Sequence, residues 1–324
     1  MLDAVKSFSQ NCSSSMAVYF VIHHSDQRVF QVFSLDFSPT SRKPQITLEG
    51  PSKESTREAE KWLKDLLNAS SQIIIYNNFI QHFGKKESQL LYRWNSDGVF
   101  LKLFLSQGHA CITIESRSKE KLVGAVVKVE AMLCRVQRDF VSEEEKELQL
   151  LSDTKGPFRR EPVHKEFSHQ YFAFSDHSLH VLKVERVENP ALEVMFDLKK
   201  KQMSCSTTQR MFQCISAQFC DTICKIGFHA ECAPPEDPLY GEGIYFTDSI
   251  KEALQVWRKR DEEFMYFVEA EVLIGKSTKG ERGLILPPPV GKDPDKLFDS
   301  VSGGYGTSVI FSGYQALPRP LWCS

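Results

Sequence analysis

Leu239-Tyr240-Gly241-Glu242-Gly243-Ile244-Tyr245-Phe246 sets two glycines one residue apart ahead of an apolar Ile-Tyr-Phe run. Such a backbone turns tightly and then enters an apolar strand. A glycine has no Cβ, so another group can approach the main chain closely. That group is either a neighbouring strand or a ligand, and a turn before a buried strand is the simpler of the two readings. A second stretch, residues 205–232, carries Cys205, Cys214, Cys220, Cys224, Cys232 and His229, all of them zinc-ligand types. Cys220 and Cys224 share one helical face. The spacing lacks the paired Cys-x-x-Cys knuckles of a structural site, so no metal is expected and the thiols read as small buried hydrophobes.

The elements that must position these residues come from a chain of ordinary globular composition, long enough at 324 residues for two domains. A formal net charge of -2 gives no global drive toward nucleic acid or membrane. No apolar run is long enough to span a bilayer, and residues 1–15, expected to be a flexible start, lack the apolar core of a signal peptide. Nine cysteines without framework spacing suit free thiols in a reducing compartment, so an intracellular location is expected.

Alternating apolar positions over 16–37 predict a hairpin or two short strands around His24-Ser25-Asp26-Gln27. A strand at Gln45–Glu49 and a helix from about Lys53 to Leu67 follow, with Ala59, Trp62, Leu63 and Leu66 on one face. Ile73–Tyr76 reads as a buried strand. A strand at Cys111–Glu115 and a helix carrying Leu122, Ala125, Val126, Val129, Met132 and Leu133 repeat this strand-to-helix unit 66 residues later. The boundary is expected at 142–155, where Ser142–Glu147 is either an acidic first helical turn or a linker and Gly156-Pro157 breaks what precedes it. Beyond it, Leu179–Val187 alternates as a strand, and Glu188-Asn189-Pro190 opens a helix that runs to Lys201.

In order and spacing, the Leu239–Phe246 stretch, Gly283–Pro289, Lys296–Val301 and Val309–Phe311 with Gln315-Ala316-Leu317-Pro318 resemble the catalytic domain of the poly(ADP-ribose) polymerase family, in its mono-ADP-ribosyltransferase branch. The likeness covers about residues 155 to 322. It implies an α+β fold in which a K-homology-like module with duplicated strand-helix units (16–141) precedes an ADP-ribosyltransferase fold of antiparallel sheets (156–324). A clamp for nucleic acid needs Gly-x-x-Gly, and Gly50-Pro51-Ser52-Lys53 lacks the second glycine, so protein docking is expected of the first module and nucleic-acid binding is not.

The resemblance also assigns a site for NAD. Transfer of ADP-ribose breaks a glycosidic bond through a sugar cation, and needs a seat for the nicotinamide amide, an aromatic wall and, in many members, a late carboxylate. The family's histidine falls on Gln213, and the glycine whose backbone holds the amide falls on Cys214 within Met211-Phe212-Gln213-Cys214-Ile215-Ser216. Tyr245 keeps the wall. The family's serine becomes Ala253, Trp257 stands in the window of the second aromatic, and the late-strand position is Thr307. The triad therefore reads Gln213, Tyr245, Thr307, and NAD binding is expected to be weak or absent. The resemblance implies a non-catalytic subunit in cytoplasm and nucleus that works with a Deltex-type E3 ubiquitin ligase in interferon and DNA-damage signalling. Any transfer to protein or ubiquitin would depend on that partner. The alternatives are an autonomous mono-ADP-ribosyltransferase holding NAD with Tyr245, Ser216 and Gln213, and a nucleic-acid-binding module.

Overall fold

The computed structural model describes residues 17–20, 31–34, 53–69, 71–95, 98–106, 109–152, 158–163, 168–232, 238–257, 263–304 and 306–324. The chain divides into two compact units, with the break after Gln137 and a short excursion at Ser106–His109.

In the first unit, β1 (Ala17–Phe20) and β2 (Gln31–Ser34) pair antiparallel with Ala17 opposite Ser34, as the alternation predicts. The turn at His24–Gln27, the strand expected at Gln45–Glu49 and the glycine of Gly50-Pro51-Ser52 lie outside the described residues. Helix α1 (Lys53–Asn68) buries Ala59, Leu63 and Leu66 and leaves its charged face to solvent. After it come β3 (Gln72–Tyr76), a 3-10 turn at Asn78–His82, α2 (Lys85–Trp94), β4 (Val99–Ser106), β5 (His109–Ser116) and α3 (Lys119–Ser152). Asn77 starts the 3-10 turn by accepting the Phe79 N–H at 2.9 Å. The sheet order is β3-β5-β4, with β3 antiparallel to β5. Ile73–Tyr76 is not the buried strand its apolar run suggests. It lies at the sheet edge, where Ile75 is buried while Ile74 and Tyr76 are 42% and 54% exposed.

Helix α3 carries the six predicted apolar positions from Leu122 to Leu133, all buried, and then continues through the acidic run to Ser152. The linker expected at 142–155 is therefore helix up to that point. The cause is an apolar stripe that outlasts the acids: past the break after Gln137 the helix belongs to the second unit, and there Leu148, with Phe140 and Val141 beside it, packs against Ala191, Leu192 and Phe196 of the same unit. Glu145 of the run faces Lys225 at 3.8 Å.

The second unit is built on one nine-stranded sheet in the order β11-β12-β13-β9-β8-β10-β14-β7-β6. Its strands are β6 (Arg159–Pro162), β7 (Lys183–Glu188), β8 (Gln209–Ile215), β9 (Ile244–Thr247), β10 (Tyr266–Val272), β11 (Ser277–Lys279), β12 (Ser300–Gly304), β13 (Thr307–Ile310) and β14 (Ala316–Cys323). All neighbours are antiparallel except β11 and β12. Helices α4 (Ser168–Ser175), α5 (Pro190–Gln202), α6 (Cys220–Ile226) and α7 (Ile250–Trp257) accompany the sheet. The strand expected at Leu179–Val187 starts only at Lys183, after a bend in which Ser178 adopts φ 60°. Helix α5 begins where the Asn-Pro pair predicts. Asn189 accepts the Leu192 N–H at 3.2 Å, and its own amide donates to the Lys225 carbonyl at 2.7 Å, tying the cap to the end of α6.

Among the described residues no helix is long and apolar enough to cross a membrane.

Candidate functional site

The glycine pair resolves first. Gly243 passes so close to β13 that a Cβ there would lie 2.5 Å from the Ile310 carbonyl oxygen and 2.7 Å from Val309 Cγ1. Gly241, at φ 123°, brings its backbone against the Leu284 carbonyl, which accepts the Glu242 N–H at 2.7 Å. The close approach is therefore made by neighbouring chain segments. Tyr245, the next landmark, is buried. Its hydroxyl donates to the Gly241 carbonyl at 2.7 Å and accepts the Tyr240 N–H at 3.1 Å, so the phenol pins the turn that precedes its own strand. Its ring packs with Val301 and Val309, and with Tyr240, Val256, Leu284 and Phe311 around them.

Strand β9 meets β8 through one pair only, Phe212 opposite Thr247, where the Thr247 hydroxyl donates to the Phe212 carbonyl at 3.3 Å. On its other side β9 pairs fully with β13, setting Thr307 opposite Thr247 and Val309 opposite Tyr245. The three triad positions thus sit on three adjacent strands, β8, β9 and β13. Past Phe212, the edge of Gln213–Ile215 has no β9 partner among the described residues, so the two strands diverge into a wedge.

Gln213 is 3% exposed, and neither its Oε1 nor its Nε2 has a hydrogen-bond partner among the described residues. A buried, unpaired amide costs about 1 to 3 kcal/mol. The side chain that stands in for the family's histidine is therefore placed and unsatisfied. Ser216 is half-buried at the end of β8. Its carbonyl accepts the Phe219 N–H at 2.9 Å and opens a 3-10 turn at Ala217–Phe219.

Three of the positions that the resemblance assigns to the nicotinamide seat carry side chains packed as core. Cys214, Ala253 and Trp257 are all buried in a single apolar cluster with Phe174, Val184, Ile250, Phe267 and Trp322. Phe174 stacks on Trp322 with ring centroids 5.0 Å apart and meets Phe267 edge-on at 5.2 Å. Where an amide-holding glycine and a serine hydroxyl belong, this chain has a thiol and a methyl group packed as core. The aromatic in the second window is part of the same core. Val256, half-buried, packs against the cluster that contains Tyr245. Thr307, 8% exposed, carries no carboxylate. Its strand begins after a register shift at Gly304, and Gly306, at φ 73°, lies so close to Asp248 that no side chain fits there.

The cysteines do not assemble. Cys214 lies on β8, Cys220 and Cys224 on α6, and Cys232 in a 3-10 turn, all buried, while Cys205 is half-buried. Burial pushes the Cys224 thiol up to about 12 and raises Cys232 as well. Among the described residues no three metal-ligating side chains converge.

Two charged features escaped the sequence reading. Glu269, in the middle of the apolar strand β10, is 2% exposed and meets the Arg210 Nε at 2.7 Å. Burial raises its carboxyl above the usual range while Arg210 pulls the other way. The register pairs it with Phe212, so a buried carboxylate lies in the same cross-strand row as Thr247 and Thr307, two strands from Thr247. Arg160 of β6 sits between Glu185, with Nε–Oε2 2.7 Å, and Asp221 at 3.7 Å, beside the thiols of α6. Burial opposes ionisation of Glu185, but Arg160 and Lys183 hold its carboxyl below the usual range. The signal for Glu269 in the sequence was charge inside an otherwise apolar strand, whereas Arg160 lies in the polar run Arg159–Pro162 and carried none.

Residues 161–285 match the model of the poly(ADP-ribose) polymerase catalytic domain. The chain is 34% identical over 306 residues to the mouse protein mono-ADP-ribosyltransferase PARP9, covering 86% of this chain and 35% of the relative. It is 30% identical over 152 residues to human protein mono-ADP-ribosyltransferase PARP14 (43% of this chain, 8% of that one). Over 150 residues it is 25% identical to mouse protein mono-ADP-ribosyltransferase PARP12 (44% and 21%). The chain thus spans about a third of the PARP9 relative's length and less of the others. With the triad strands side by side and the catalytic-domain match laid over them, the chain belongs to the poly(ADP-ribose) polymerase family.

Proposed function

We propose that this chain is a catalytically degenerate ADP-ribosyltransferase-fold subunit that acts with a Deltex-type E3 ubiquitin ligase, in interferon and DNA-damage signalling. Any mono-ADP-ribosylation of protein or ubiquitin then depends on that partner. The reading is carried by the apolar cluster that joins Cys214, Ala253 and Trp257. Each hydrogen bond lost to a ligand is worth about 0.5 to 1.5 kcal/mol. Losses at Gln213, Ala253 and Thr307 together make NAD binding on the order of a thousandfold weaker or more. The first unit, with its strand, two short helices, two strands and a long helix around a central β5, is a K-homology-like module in this reading and docks protein.

The test is calorimetric titration of NAD into the chain alone and into its mixture with the ligase. The expected result is little or no heat from the chain alone, and transfer only in the mixture. A micromolar dissociation constant for the chain alone overturns the proposal. The autonomous-enzyme reading has one observation in its favour, the unpaired Gln213 amide at the open edge of β8. Thr307→Glu separates the two readings. Robust NAD hydrolysis by that single variant means that the seat is intact, whereas inactivity agrees with a seat filled by side chains.

A further inference from the structure

Helix α2 of the first unit turns one face to solvent. At about 100° per residue, Lys85, Lys86, Ser88, Gln89, Tyr92 and Arg93 fall within about 160° of its circumference. All six are exposed, whereas Leu91 is buried and Glu87, Leu90 and Trp94 are half-buried on the other side. The exposed face thus holds three cations and no acid of its own helix. Tyr92 stands near its centre and is 83% exposed, more than any other large apolar side chain among the described residues. The helix's one acid is turned inward: Glu87 Oε2 accepts the Gly84 N–H at 3.1 Å, and its Oε1 lies 3.6 Å from the Arg135 guanidinium of α3. Lys128 of α3, itself exposed, adds a further cation beside α2, 5.9 Å over the Trp94 ring. Helix α1 of the same unit is built differently. Its exposed face mixes Arg57, Glu60, Lys61, Lys64 and Asp65, and Lys64 pairs with Glu60 at 2.6 Å. Such a face neutralises its own charge and needs only water, while the α2 face has no acid in its own helix with which to do so.

Charge and shape select the occupant. In a chain of net charge -2, cations and an aromatic ring gathered on one helix face complement an acidic partner. Tyrosine and arginine are also the side chains that anchor protein interfaces. A single-stranded nucleic acid is the other polyanion, and it is held in a basic groove with successive stacking rings or by a backbone clamp. The α2 face is the convex side of a helix and carries one ring. The turn before it, Gly84-Lys85-Lys86-Glu87, has a glutamate where a clamp has its second glycine, and that carboxylate already holds the Gly84 N–H. We propose that the exposed face of α2 docks an acidic segment of a partner protein, with Tyr92 as the apolar anchor and Lys85, Lys86 and Arg93 set against its carboxylates. The inference rests on the reading of the first unit as a protein-docking module, and gives that module a surface and its partner a chemistry.

The experiment is fluorescence anisotropy on the whole chain with two labelled probes, at about 50 mM salt so that surface charge is little screened. One probe is a peptide of about ten residues, glutamates around a leucine pair, sized to the length of α2. The other is an oligouridylate of equal charge. The expected dissociation constant for the peptide is on the order of 100 μM. Lys85→Glu with Lys86→Glu should weaken it about tenfold or more, and Tyr92→Ala about threefold to tenfold. Lys61→Glu with Lys64→Glu on α1 makes the same change in net charge and should leave it within about twofold. All the changed positions are exposed, and circular dichroism verifies that each variant is folded. No binding of the peptide, equal weakening by the α1 variant, or binding that survives either α2 variant would overturn this surface while leaving the docking reading of the unit in place. Tighter binding of the oligouridylate, lost in the α2 variants, would overturn both.

Discussion

Two walls of the same wedge in the second unit have fared differently. The β9 wall keeps the family's backbone: Gly241, Gly243 and Tyr245 hold the turn through the Leu284 and Gly241 carbonyls and the close contact with Ile310. The β8 wall, with α7 behind it, carries core side chains where the resemblance places a glycine, a serine and an aromatic, since Cys214, Ala253 and Trp257 pack with Phe267 and Trp322. The difference shows which of the family's features serve folding. Glycines that let strands approach are needed whether or not NAD binds, and a tyrosine whose hydroxyl pins a turn is needed for the same reason. Groups that only hold a ligand can be replaced by packing.

The largest effect is expected from the converted wall. Trp257 is 4% exposed inside the cluster, and Trp257→Ala should cost about 3 to 5 kcal/mol of unfolding free energy. Urea denaturation checks it, and a loss under about 1 kcal/mol, typical of a surface change, would show that the indole lines a cavity instead of filling the core.

Next comes the retained wall. Gly243→Ala puts a methyl 2.5 Å from the Ile310 oxygen, so β9 and β13 must shift, at about 1 to 3 kcal/mol. If the glycine were kept for a ligand instead, the same substitution would leave stability unchanged, and the denaturation midpoint distinguishes the two.

Much of the retained wall was legible in the sequence, because its signals are local. Two glycines ahead of Ile-Tyr-Phe predicted the turn and strand, though not whether a strand or a ligand made the close approach. Asn189-Pro190 predicted the start of α5. The converted wall was legible only as a list of departures at Gln213, Cys214, Ala253 and Thr307. That Cys214 and Ala253 share a core with Trp257 depends on Phe174, Phe267 and Trp322, which are distant in sequence. Two element errors have the same origin. Ile73–Tyr76 reads as buried because it is continuously apolar, yet its place at a sheet edge exposes alternate residues. The acidic run reads as a boundary because Phe140, Val141 and Leu148 find their partners about fifty residues away along the chain.

A smaller effect sharpens the contrast. Cys214→Gly restores the family's residue but removes a buried thiol group and adds backbone freedom, at about 1 to 2 kcal/mol together. The expected outcome is a lower denaturation midpoint with no heat on NAD titration. Micromolar NAD binding in this variant would mean that Cys214 alone blocks the seat, and the packing of Ala253 and Trp257 would then have to yield to the ligand.

The smallest effect concerns Glu269, the charge that the converted wall keeps between β8 and β14. Its folded carboxyl lies above the ordinary range because burial disfavours the ionised form more than Arg210 favours it. The folded state therefore binds this proton more tightly than the unfolded state does. The sign follows: the contribution of Glu269 to stability is full below the ordinary carboxylate range and is lost as pH rises through the raised folded value. Arg210, whose side chain is 66% exposed, gives up little solvent to make the pair and offsets only part of the burial of the carboxylate. Glu269→Gln keeps the shape and an acceptor oxygen while removing the charge. The variant should match wild type in mildly acidic buffer and exceed it modestly at neutral pH, so that the gap between their unfolding midpoints opens as pH rises. Thermal unfolding across that window measures it. A gap of the opposite sign at neutral pH would show that the Arg210 pair outweighs the burial of Glu269, and the carboxylate would then count among the groups that hold the converted wall together.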